Sequence, residues 1–178
     1  MSRSSYNNYS NISKLHTQQG FVIENLIRRL CLDELGFSQA KYSVAELKYL
    51  AKSIGGPRYH NVIRRYKPQN EHGWLDAMFK LDLVLDLSTP QQKCRVGFDI
   101  TATHGIELKV KGIEIKEMYD AASSLLVEHH VVLSSTLPRY DGWALYPKPE
   151  MERVLEQLEG LVYEALEVKA GTILYLEF

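Results

Sequence analysis

Between Lys80 and Lys111 apolar and polar side chains alternate with a period of two, which predicts three consecutive β-strands. In the first, Leu81, Leu83, Leu85 and Leu87 alternate with Lys80, Asp82, Val84 and Asp86, and Ser88-Thr89-Pro90 ends the run. In the second, from Cys94 to Thr103, Val96, Phe98 and Ile100 share one face, and Gly97, Asp99 and Thr101 share the other. His104-Gly105 then makes a tight turn, and Ile106, Leu108 and Val110 alternate with Glu107, Lys109 and Lys111 as a third strand.

Helical spacing governs much of the remainder. Val22, Ile23, Leu26, Ile27 and Leu30 predict a helix from about residue 17 to residue 35, with Gly36 as its stop. Arg28 stands four residues after Glu24, within pairing reach. Ser43-Val44-Ala45-Glu46 is a capping box opening a helix over 44–54, which Gly55-Gly56-Pro57 ends. Residues 58–67 read as a surface loop or short helix, and 68–73 as a polar connector. A helix over 115–127, a strand over 129–135 and a further strand over 142–146 follow. A helix over 150–168 and a last strand from Ile173 to Phe178 complete the pattern. The expected class is α/β: a central mixed sheet flanked by helices, with a strand–helix–strand extension at the C-terminal side.

Composition is that of one ordinary soluble domain, with 45% hydrophobic and 24% charged residues in 178. No run approaches the roughly 18 apolar residues of a membrane span. Residues 1–16 read as a polar tail without the apolar stretch of a signal peptide, and Cys31 and Cys94 form no disulfide or metal pattern. A reduced, cytoplasmic setting is therefore expected. The net charge of −1 hides an asymmetry. Residues 1–70 hold eleven Lys and Arg against four acids, whereas residues 71–178 hold ten against eighteen. The basic half suits a polyanion, and the acidic half argues against a protein that coats nucleic acid on every side. The cations concentrate at Arg58, Arg64, Arg65 and Lys67, interleaved with Tyr59, His60 and Tyr66. Cations beside aromatics suit phosphate and base contacts.

Two acids stand out. A hairpin of the first two strands brings Asp82 and Asp99 together on one face. Two close carboxylates repel unless a cation lies between them, and hard divalent ions such as Mg²⁺ favour oxygen ligands. The pair is either a metal site or two acids on the wet face of a half-buried sheet. His129 and His130, adjacent on a strand, point to opposite faces and make a poor metal pair.

Residues 17–135 resemble the core of the PD-(D/E)XK nuclease superfamily, the restriction-endonuclease-like fold shared with Holliday-junction resolvases. The resemblance rests on Gly20-Phe21-Val22-Ile23-Glu24 with Leu26, Leu30 and Gly36-Phe37, on Leu81-Asp82-Leu83-Val84, and on Val96-Gly97-Phe98-Asp99-Ile100-Thr101. Residues 136–178 then form the extension. The resemblance implies a metal-dependent endonuclease hydrolysing phosphodiester bonds in double-stranded DNA, acting as a homo-oligomer. Asp82 and Asp99 would hold Mg²⁺ or Mn²⁺, with Glu24 directly or through water. Thr101 stands where the family has lysine. Threonine supplies no cation, so the resemblance looks to Lys109, Lys111 or Lys116 for one, the first two expected on a neighbouring strand. Thr101 would position the attacking water, and Arg58, Tyr59, His60, Arg64, Arg65 and Lys67 would hold nucleic acid. A second register would use Asp99 with Glu107-Leu108-Lys109. The departure at Thr101 also leaves room for an inactive nucleic-acid-binding relative, and an unrelated α/β interaction protein fits the pattern as well.

Overall fold

The computed structural model describes residues 23–101, 106–134 and 148–177. Helix α1 covers residues 23–29 and runs on as a wider π-helical turn, Leu30–Glu34. It is followed by β1 (Ser38–Gln39) and α2 (Val44–Ile54). Helix α3 (Gly56–Asn61) continues through Val62–Tyr66, and α4 (Glu71–Trp74) continues through Leu75–Phe79. Then come β2 (Leu83–Asp86), β3 (Arg95–Thr101), α5 (Ile106–Ala121), β4 (His129–Ser134), α6 (Lys148–Glu167) and β5 (Ile173–Glu177). No helix among the described residues is long and apolar enough to cross a membrane.

The fold is mixed α/β. Its five strands form one sheet in the order β1-β2-β3-β4-β5. Strands β1, β2 and β3 are antiparallel neighbours, and β4 and β5 add in parallel beyond β3. Helices cover both faces, as strands buried on both sides require. On one face Leu83, Phe98, Val131 and Leu133 meet Leu26, Ile27 and Leu30 of the first helix and Leu158 and Val162 of α6. On the other, Val84 packs with Leu47 of α2, Trp74, Met78 and Phe79 of α4, and Tyr119 of α5. The segments α6 and β5 thus belong to the same sheet and core as the rest.

Several elements follow the sequence closely. Ser43 caps α2, its Oγ accepting from the Glu46 amide at 3.1 Å, and Gly36 takes the positive φ (71°) that ends the first helix. Three expectations are corrected. Residues 106–111 form no strand; they open α5. The stretch is six residues long, too short for alternation to decide. Continued, the buried positions Gly112, Ile115 and Tyr119 recur at helical spacing. The helix expected over 115–127 accordingly begins at Ile106 and ends at Ala121, before a short 3₁₀ turn at Ser123–Leu125. Residues 68–73 are not merely a connector: Asn70 caps α4 by accepting from the Gly73 amide at 2.8 Å. The 1–16 tail, the first turns expected from residue 17, the His104-Gly105 turn and the 142–146 strand lie outside the described residues.

The start of β2 is set by the end of α4. Lys80 adopts left-handed φ (57°), its amide bonds the Asp76 carbonyl at 3.2 Å, and the Leu81 amide bonds that of Leu75 at 3.1 Å. This closure normally takes glycine. It delivers the chain to Asp82 one residue before the strand. Gly97, beside it in β3, is required by packing: a Cβ there would lie 2.4 Å from Leu81 Cδ2 and 3.2 Å from Val127 Cγ1.

Candidate active site

The register of β2 against β3 pairs Leu83 with Phe98 and Val84 with Gly97; Asp82 lies one residue before the strand, where the regular alternation breaks, and its carboxyl feels the charge of Asp99. Main-chain bonds fix the pair: the Asp82 amide donates to the Phe98 carbonyl at 2.8 Å, and the Ile100 amide donates to Asp82 Oδ2 at 2.7 Å. Asp99, mid-strand in β3, is only 5% exposed. Lys111, on the first turns of α5, places its Nζ 3.2 Å from Asp99 Oδ2.

This arrangement is electrostatically unfinished. Burial, with the Asp99 charge nearby, pushes the Asp82 carboxyl up to about 8, against the pull of the Ile100 amide. Glu24 and Asp76 add to the rise. Burial raises Asp99 as well, with Lys111 the main opposing influence and Lys80 a lesser one. One ammonium in contact does not offset two desolvated acids.

A second ring supports the first. Arg28 donates to the Asp82 carbonyl at 2.7 Å, and its guanidinium lies 3.6 Å from Glu24. His72 of α4 lies 3.5 Å from the same Glu24 oxygen. Glu24 is thus engaged by two basic side chains at the rim, with its charge felt at Asp82. His130 is fully buried on the acid-bearing face; burial and the Lys111 charge push its imidazole down to about 4, with the Lys80 main chain pulling the other way, so the ring is neutral. His129, on the opposite face, belongs to the other side of the strand, as adjacency dictates.

The remaining predicted residues sort as follows. Thr101 is buried at the end of β3, on the face of Asp99 and paired in register with Ser134. Lys109 and Lys111 sit on α5, not on a neighbouring strand, because residues 106–111 are helical; Lys109 is exposed and Lys111 reaches Asp99. Glu107-Leu108-Lys109 is for the same reason no strand motif. Lys116 pairs with Asp120 at 2.6 Å. In the basic segment Arg58 has a structural task, its Nε and one terminal nitrogen donating to the Met78 and Ala77 carbonyls at 2.9 and 2.8 Å. Tyr59 packs against the core, whereas His60, Arg64, Arg65 and Lys67 are exposed. Sequence reasoning missed Asp76, His72 and Lys80. The apolar spacing Trp74, Leu75, Met78, Phe79 after the Asn70 cap was the signal for the helix that carries the first two.

Among the described residues no group of three or more His, Cys, Asp or Glu side chains is arranged to hold a metal ion. Mg²⁺, however, keeps several waters and binds through one or two carboxylates. Two coupled acids, both raised by burial, with an ammonium in contact with Asp99 alone, fit that requirement. Comparison with protein-family models, with curated proteins and with solved structures finds no match.

Proposed function

We propose that this protein is a metal-dependent nuclease acting through Asp82, Asp99 and Lys111. The observation that carries the reading is a pair of desolvated, charge-coupled acids, Asp82 just before β2 and Asp99 in β3, with the Lys111 ammonium 3.2 Å from Asp99. The strand order is compatible with it: an antiparallel run β1-β2-β3, a crossover helix α5 and a parallel strand β4 suit the kind of core that the resemblance implies, although residues 106–111 are helix where a third consecutive strand was expected. In this assignment the third strand of the run is β1.

Asp82 and Asp99 would hold Mg²⁺ or Mn²⁺, with Glu24 acting from the rim. When bound, the ion supplies Lewis acidity at the phosphate and an acidified water. Lys111 offsets the negative charge that builds on the phosphate oxygens in the transition state. It thereby takes the task for which Thr101 lacks a cation, and the Thr101 hydroxyl helps orient the attacking water. His60, Arg64, Arg65 and Lys67 hold the nucleic-acid backbone, duplex DNA being the substrate the resemblance implies.

A binding protein without cleavage is the second reading, favoured by threonine at position 101. One experiment separates the two. Plasmid DNA incubated with Mg²⁺ or Mn²⁺ is expected to be cut by the intact protein and not by Asp99→Asn. Lys111→Ala should slow cleavage by roughly 10²–10³, the scale of one lost electrostatic contact to developing charge. Binding without cleavage by the intact protein would favour the second reading. Cleavage undiminished in both variants would overturn the assignment of the site.

A further inference from the structure

The α3 segment ends in a way that packing does not explain. Of Val62–Tyr66 only Val62 is buried, and Tyr66 is 64% exposed between the exposed cations Arg65 and Lys67. Left-handed Lys67 (φ 47°) closes the helix, its amide bonding the Val62 carbonyl at 2.9 Å, so the end of the segment is fixed. The segment is also bolted to the acid site. Arg58 holds the Ala77 and Met78 carbonyls, immediately before the Lys80 turn that leads into Asp82. Burial holds the Arg58 guanidinium below its usual value, and Tyr66 and Asp76, the acid whose charge reaches Asp82 and Asp99, oppose that shift.

A duplex needs only cations from such a surface, because its bases are stacked inside. An aromatic ring held in water among cations suits a base that is unpaired, since every base offers a face for stacking and the cations track the backbone beside it. We propose that Tyr66, with Arg64, Arg65 and Lys67, forms a stacking platform for an unpaired base, so that the substrate of the Asp82–Asp99 site carries a single-stranded segment. The link to cleavage rests on the nuclease reading; the platform itself is tested without it.

Fluorescence anisotropy in metal-free buffer would compare labelled oligothymidylate, oligouridylate and a blunt DNA duplex of equal length. Either single strand should bind tighter than the duplex, and the stronger of the two identifies DNA or RNA as the source. Tyr66→Ala should weaken single-strand binding roughly tenfold, the order expected for one lost stacked base, while leaving duplex binding unchanged. Tyr66→Phe should retain it, and Tyr163→Ala, exposed on acidic α6, should have no effect. Equal or tighter duplex binding, an equal loss on both substrates, no loss in Tyr66→Ala, or no binding to any probe would overturn the platform. Single-strand preference without metal-dependent cleavage keeps the platform and sinks the nuclease; metal-dependent cleavage without single-strand preference does the reverse.

Discussion

The two faces of the central sheet differ more than their shared strands suggest. Leu83, Leu85, Val96, Phe98, Ile100, Val131 and Leu133 point to one face and meet apolar partners from the first helix and α6, with His129 the buried polar residue of the strands on that side. Asp99, Thr101, His130 and Ser134 stand on the other, beneath α4 and α5, with Asp82 at its edge just before β2. The period of two therefore separates stability from chemistry residue by residue. Substitutions in one strand should sort by parity.

The largest stability effect is expected on the apolar face. Phe98→Ala, at a fully buried ring, should destabilise by about 3–5 kcal/mol in urea unfolding. Gly97→Ala tests whether the acid-bearing face is equally tight. Its new methyl meets Leu81 and Val127, and a loss of about 1–3 kcal/mol is expected. A neutral result would show that the second face yields where the first does not.

Asp82→Asn should act with the opposite sign. The folded protein holds a proton on Asp82 up to a pH of about 8, whereas an unfolded aspartate loses it near about 4. This group's contribution to stability is therefore complete below about pH 4 and declines as pH rises to about 8. Asparagine keeps an acceptor for the Ile100 amide and removes the charge. In metal-free buffer the variant should match the parent at pH 4 and exceed it at pH 9, by on the order of 1–3 kcal/mol. Mn²⁺ should raise the Tm of the parent more at pH 9 than at pH 6, and that of the variant at neither. The smallest effect belongs to Lys116→Ala. Its exposed pair with Asp120 should change stability by no more than about 0.5 kcal/mol. Cleavage should be unaffected, in contrast to Lys111→Ala.

Much of this contrast was legible in the chain because period-two patterning records which face a residue occupies. Asp99 and Thr101 could be placed on one face from alternation alone, and the helix over 44–54 from its cap; before Leu83 the alternation breaks, and Leu81 packs with Val84 instead of with Leu83. Position along a helix was harder. Lys111 reaches Asp99 only because residues 106–111 are helical, and six residues that alternate apolar and polar read as a strand when taken in isolation. Arg58 looked like a phosphate ligand, but which carbonyls surround a guanidinium depends on packing across the chain. Asp76 and His72 were hidden because Glu71–Phe79 combines a short helix with a wider turn, and its spacing carries no sign of what lies opposite.

The bond from the Ile100 amide to Asp82 Oδ2 gives that carboxylate two unlike oxygens. One is a rung of the sheet, standing in for a backbone carbonyl just where β2 has yet to begin. Whatever Asp82 does for a ligand then falls mainly to its partner oxygen, aimed in advance by the architecture instead of by a rotamer search. A guest meets a lone pair already in position, and a replacement that offers the Ile100 amide no acceptor loosens a seam of the protein together with its chemistry.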